Sequence, residues 1–428
     1  MNIKNNIPKK EKIQEQEKKF NEKILKHLPK DIEEKAVELG VIERKREIKN
    51  AKDLLKMLMI YANEKISIKI LSFIASALKI AEISDRAWSK KILKTTEWLK
   101  YILNGILGKI QKTPVKNKRK IKLIDCSTIL QIGKEQNQAR MHTCFNLNIG
   151  TVEQVELTDH HVAEGINHYK IDAGDIIIGD TGYCRAKSIS QIVTQKADAI
   201  IRMSPNLCPI YDESGKKINI YKTVKKHKKE SFELEGYVKF EKEKIKVRLI
   251  ISPLPKEKLA RAIYRKKRAA QKNKTRAARP ETLEYAKWVM IITTLDKEYS
   301  TEDILEIYKI RWQIELLFKR MKQHLSAQRI PKGSEEYAKV IVYIWLITWS
   351  IVEIGAINIE KILINKNEGN LEKISFWRLC TISYKVVKEA INATIEMEDI
   401  VNYSNYLLDS TRRRKSQLNQ WKQELYFP

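Results

Sequence analysis

Residues 308–322 read YKIRWQIELLFKRMK, and in them Tyr308, Arg311, Glu315 and Lys322 stand three, four and seven positions apart. At about 100° per helical residue, Arg311 falls near 300° from Tyr308, Lys322 near 320° and Glu315 near 340°, a single narrow stripe. Ile307, Ile310, Ile314, Leu317, Phe318 and Met321 fill a contiguous arc from roughly 180° to 280°, the face a core would cover. One helix from Thr301 to His324 is therefore expected. Its polar edge holds a carboxylate among a phenol, a guanidinium and an ammonium. That edge suits a metal ligand beside groups that grip phosphate. The same spacing also describes an ordinary amphipathic helix with i,i+4 charge pairing.

Upstream, the hydrophobic period is that of strands. KIKLIDCSTIL (120–130), RMHTCFNLNI (140–149) and TVEQVELT (151–158) read as three successive strands. DHHVAEGINHY (159–169) reads as a helix, DIIIGD (175–180) as a short buried strand, KSISQIVTQK (187–196) as a helix and DAIIRM (198–203) as a strand. This order predicts an α/β layer on a mixed sheet. Asp125 and Asp180 each follow an apolar strand run, where ligands of open α/β sheets collect. Either could simply be a turn residue at a strand end. If the two strands are neighbours, and the 301–324 helix crosses them, Glu315 joins both aspartates. Three adjacent carboxylates repel unless cations lie between them, and all-oxygen donors select Mg²⁺ or Mn²⁺ over zinc.

The 428-residue chain carries a formal charge of +29, and its basic residues run through segments that must fold. A polyanionic partner is implied, nucleic acid before an anionic membrane. Five cysteines without CxxC or zinc spacing fit free thiols in a reducing cytoplasm. The most apolar run, Val340–Val352, is too short to span a bilayer and reads as a buried helix. No secretory signal is read at the N-terminus. Residues 1–30 read as a polar, mobile arm, with helices following to about residue 115. Ser67 and Ser84 are candidate N-caps. The helix bearing Arg86, Lys90, Lys91 and Lys94 fits either a helix-turn-helix or a plain helical hairpin.

Taken together, these residues resemble bacterial insertion-sequence transposases of the DDE class, in the cut-and-paste branch with a Tyr-x2-Arg-x3-Glu-x6-Lys signature. Tyr308, Arg311, Glu315 and Lys322 match it without a gap, and Asp125 in LIDCST and Asp180 in GDTGY match the two aspartates. The resemblance spans residues 65 to 350 or so. It implies a ribonuclease-H-like mixed-sheet core with an inserted β-rich domain, flanked by helical N- and C-terminal regions. Residues 1–115 would form a helical region binding DNA ends, and 116–204 and 288–360 the two parts of the catalytic core. Residues 205–287 would be the basic insertion and 361–428 a helical region for dimerisation.

The resemblance makes Asp125, Asp180 and Glu315 the catalytic metal ligands for two Mg²⁺ ions, with Mn²⁺ able to substitute. It assigns Tyr308, Arg311, Lys322 and Lys319 to DNA binding. Trp288, at the start of WVMIITTL (288–295), would stack a base flipped out of the duplex; a tryptophan there also suits a core. His142 and Glu164 resemble accessory positions, and local packing explains either equally well. The implied function is cutting and joining DNA at terminal inverted repeats, by a homodimer in a synaptic complex that also engages target DNA. The expected setting is the bacterial cytoplasm, at the nucleoid and not at a membrane. Two alternatives remain at this level: a ribonuclease-H-like nuclease without strand transfer, and a catalytically decayed DNA-binding copy.

Overall fold

A computed structural model describes residues 9–43, 48–111, 119–131, 137–148, 151–227, 230–272, 278–325, 329–330, 334–366, 375–393, 395, 399 and 402–403. Of the basic linker expected at 112–120, residues 112–118 lie outside them, as does the expected basic run at 412–415. The chain divides into two compact units, Met1–Ile106 with Glu336–Pro428, and Leu107–Glu335.

The first unit is helical: α1 (Lys9–Lys23), α2 (Ile32–Glu38), α3 (Ala51–Glu64), α4 (Ile68–Ala77), α5 (Asp85–Leu93) and α6 (Thr96–Gln111), the last running into the second unit. Ser67 and Ser84 cap α4 and α5 as read, accepting from the backbone N–H groups of Ile70 and Ala87. The N-terminal arm is corrected. Residues 9–23 are helical, and Phe20, Ile24 and Leu28, at i,i+4 spacing, are buried. Two C-terminal helices complete this unit among the described residues. The longer holds the apolar run 340–352, and the stretch Glu336–Leu363 is apolar and long enough to cross a membrane. Its most apolar window, however, is 83% buried within the protein.

The second unit is a nine-stranded mixed sheet. Its strands are β1 (Ile121–Gln131), β2 (Asn137–Asn146), β3 (Thr151–Asp159), β4 (Ile176–Gly179), β5 (Asp198–Arg202), β6 (Phe232–Phe240), β7 (Glu243–Pro253), β8 (Trp288–Thr293) and β9 (Arg329–Ile330). Across the sheet the order is β3-β2-β1-β4-β5-β8-β7-β6, with β9 on β1. β1, β4 and β5 are parallel, while the first three strands form an antiparallel meander and β8-β7-β6 an antiparallel wing. The strands of the 205–287 segment thus extend the central sheet. The same segment also carries α8 (Ile220–Lys226), α9 (Lys256–Lys272) and α10 (Pro280–Tyr285); α7 (Ala186–Thr194) precedes it.

Two expectations fail locally. Between 159 and 169 the helical content is one 3₁₀ turn, Ile166–His168. Asp159 instead folds the chain back, its side chain accepting from His161 N and its carbonyl from Val162 N. The helix expected over 301–324 is two helices, α11 (Thr301–Lys309) and α12 (Trp312–His324). At the joint the N–H groups of Ile310, Arg311, Gln313 and Ile314 reach back only three residues, a tightened turn that shifts the face of the helix. Ile310 is consequently 38% exposed, while Ile314, Leu317, Phe318 and Met321 are buried as read. After α12 and β9 the chain enters α13 (Glu335–Lys366), and α14 (Phe376–Ile391) follows.

Candidate active site

The pairing of β1 leaves a gap in which the site forms. β1 pairs with β4 over Ile121–Leu123 and with β9 at Leu130 and Gln131. Asp125 lies between these ladders. It is not at a strand end, since β1 continues to Gln131, but it lies just past the end of the β1–β4 ladder. Asp180 directly follows β4, and its carboxylate accepts from Gly182 N at 2.8 Å. α12 packs against β1 before the chain returns to β1 as β9, and its Glu315 lies near enough to Asp125 for its charge to act on that carboxyl.

The carboxylates feel one another. Asp125 is pushed up to about 6, first by burial, with the charges of Asp180 and Glu315 adding to it; the Cys126 N–H and the Arg311 guanidinium oppose the shift. Glu164 is a fourth carboxylate at this edge, raised by burial and then by Asp180. It approaches so closely that a Cβ at Gly182 would lie 2.1 Å from Glu164 Oε2, and the Glu164 carboxylate would have to shift to admit a side chain there. The donor set of Asp125, Asp180 and Glu315 is all oxygen and carries excess negative charge, which fits hard divalent cations.

The cationic stripe surrounds this cluster. Arg311 donates to Glu315, and its guanidinium lies 5.8 Å from the centre of the Tyr308 ring. The guanidinium therefore rests on the glutamate itself here. The Tyr308 hydroxyl is buried beside Arg311, without a hydrogen bond of normal geometry among the described residues. Lys322 is lowered by burial, an effect opposed by the Asp125 carboxylate. Lys319 is exposed on the same helix.

Trp288 is 6% exposed and packs edge-on against Phe232 in the core, with no hydrogen-bond partner for its indole N–H among the described residues. Its inner edge meets a cavity of about 470 Å³ that also touches Thr181, Arg202, Tyr285, Arg265 and Lys266. A second cavity of about 480 Å³ touches Arg202, Lys258, Tyr308, Arg311 and Trp312, the last 55% exposed. His142 is buried and stacked on His168 at 3.9 Å, with Nε2 2.8 Å from Thr158 Oγ1. Burial, then the neighbouring His168, lowers it to about 4.

Sequence reading missed two features. Arg202 ends β5 and borders both cavities; the strand-end argument used for Asp180 would have found it. The other is a buried phenol pair. Tyr169 Oη lies 2.7 Å from Tyr183 Oη and donates to the Asp125 carbonyl at 3.1 Å. It ties β1 to the turn after β4 just where the β1–β4 ladder has ended. No periodicity announces such a contact.

Comparison with known proteins agrees with this geometry. Residues 118–352, more than half of the chain, match the family described as "Transposase DDE domain". The chain is 27% identical over 344 residues to the transposase for insertion sequence element IS421 of Escherichia coli, covering 77% of this chain and 92% of that protein. It is 24% identical over 413 residues to the transposase for insertion sequence element IS231B of Bacillus thuringiensis, covering 84% of each. With both aspartates, the glutamate and its cationic stripe gathered in the gap along β1, the chain belongs to the DDE transposase family of bacterial insertion sequences, enzymes that act on DNA.

Proposed function

We propose that Asp125, Asp180 and Glu315 are the catalytic carboxylates and together hold two divalent cations, Mg²⁺ or Mn²⁺. The observation that carries this reading is the raised Asp125, whose environment includes both other carboxylates. Cations bound there would supply charge stabilisation for in-line displacement at phosphorus. In the first step a water oxygen attacks the phosphorus at the element's end. The bond to the 3′-oxygen breaks, and that oxygen takes up a proton. In the second step this 3′-hydroxyl attacks a target phosphorus and displaces a target 3′-oxygen.

The protein's part is positioning. Tyr308, Arg311, Lys322 and Lys319 grip phosphates beside the cleaved bond, and for this Arg311 exchanges Glu315 for DNA. Arg202, between the two cavities, would grip the same strand. Trp288 and its cavity accept a flipped base, with Arg265 and Lys266 close enough for its phosphates. The helices around α5 bind the terminal inverted repeats, and the joined product requires a dimer that pairs two ends.

The test is single-turnover nicking of a labelled duplex bearing the element's ends, with Mg²⁺, comparing wild type with Glu315→Gln. We expect metal-dependent nicking followed by joining in the wild type, and at least a 10³-fold loss of nicking in the variant, on the order of 4 kcal/mol of transition-state stabilisation. Nicking that survives the substitution would reject the site. Wild-type nicking without joining would favour the nuclease alternative.

A further inference from the structure

α9 carries more positive charge than the proposed site uses. Lys256, Lys258, Arg261, Arg265, Lys266, Lys267 and Arg268 face one helical carboxylate, Glu257, and all seven cations are exposed. None forms an ion pair among the described residues. Lys258 and Arg261, Arg261 and Arg265, and Arg265 and Arg268 are like-charge neighbours at i,i+3 or i,i+4, spacings that destabilise an isolated helix. A polyanion would remove that repulsion.

Helical spacing sorts the cations onto two arcs. Lys258 borders the cavity of Tyr308 and Arg311, while Arg265 and Lys266 border the cavity of Thr181 and Trp288. These three fall at roughly 180° to 280° when Lys256 is zero. Arg261, Lys267 and Arg268 fall at roughly 20° to 140°, an arc centred about 150° round the helix from the first, with Arg261 and Arg268 at the edge nearest Arg265. Tyr264, 61% exposed, stands among them. A DNA strand held at the carboxylates would meet the inner arc, while the centre of the outer arc, at Tyr264 and Lys267, is turned from it.

We infer that the outer arc of α9 docks a second DNA duplex, the one into which the cut end is joined, through its phosphates. The occupant follows from charge complementarity: three cations without ion pairs among the described residues, with a phenol between them, suit the phosphates of a duplex. This inference rests on the reading of the carboxylate site as one that cuts and joins DNA.

The test uses the full-length protein and the triple variant Arg261→Gln, Lys267→Gln, Arg268→Gln, with glutamine chosen because it keeps helix propensity. A labelled duplex with the element's ends is bound first, and a random-sequence duplex is added second. We expect nicking within about twofold of wild type, joining to the second duplex at least tenfold lower, and a salt slope for its binding shallower by about 2–3. A variant with lysine at all three positions should restore joining. Joining within twofold of wild type in the glutamine variant overturns the inference. So does a parallel loss of nicking and joining, which would give the outer arc to the first duplex. A wild type that nicks nothing would instead reject the carboxylate site itself.

Discussion

At the scale of single residues, Asp125 is where burial and charge are most opposed. Its carboxyl is raised from an ordinary aspartate to about 6. The native state therefore binds the proton more tightly than the unfolded chain, and stability from this group is lost as pH rises from about 4 through about 6. The penalty for holding the carboxylate charged in the metal-free protein is about 2–3 kcal/mol. We accordingly expect Asp125→Asn to raise the melting temperature of metal-free protein at pH 8 by several degrees. Near pH 4 the difference should vanish, and added Mg²⁺ at pH 8 should stabilise the wild type but not the variant. Thermal melts at the two pH values check this; a variant equally or less stable at pH 8 would contradict the electrostatic account.

Between elements, the site depends on how neighbouring segments are tied together. The β1–β4 ladder stops at Leu123 and Ile178, two residues before each aspartate. Beyond it, the Tyr169–Tyr183 pair links the Asp125 carbonyl to the turn that follows Asp180. We expect Tyr169→Phe to fold with a loss of about 1 kcal/mol, the scale of one hydrogen bond. The Mg²⁺ concentration for half-maximal nicking should rise several-fold, while the rate at saturating Mg²⁺ stays within about threefold of wild type. A reduced saturating rate with an unchanged Mg²⁺ requirement would mean that the pair does not set the spacing of the aspartates.

Legibility in the sequence follows from how local each feature is. The β4 and β5 strands, the Ser67 and Ser84 caps and the buried face of α12 rest on runs of neighbouring residues, and all were readable. The break at Ile310–Arg311 was not: no proline or glycine marks the tightened turn. The 159–169 segment deceived because its apolar spacing imitates a helix, while Asp159 folds it back as a turn. Asp125 was readable as a carboxylate after an apolar run, although its true setting, a gap between β4 and β9 on one edge of β1, depends on partners about 50 and 200 residues away. Arg202 and the phenol pair depend on the same long-range pairing.

At the largest scale, the second unit has a sheet whose gap gathers charge of one sign and whose surroundings carry the other. The chain's +29 is not spread evenly in purpose: the stripe on α11 and α12 surrounds the carboxylates, and α9 presents cations on two arcs. The central claim is that the three carboxylates form one metal-binding site. Crystals of the full-length protein soaked in Mn²⁺ and measured at the manganese absorption edge test it most directly. The account predicts anomalous density among the carboxylates of Asp125, Asp180 and Glu315, lost in Asp125→Asn. Manganese found instead only at another acidic or imidazole cluster, such as Asp159 with His160 and His161, would contradict it.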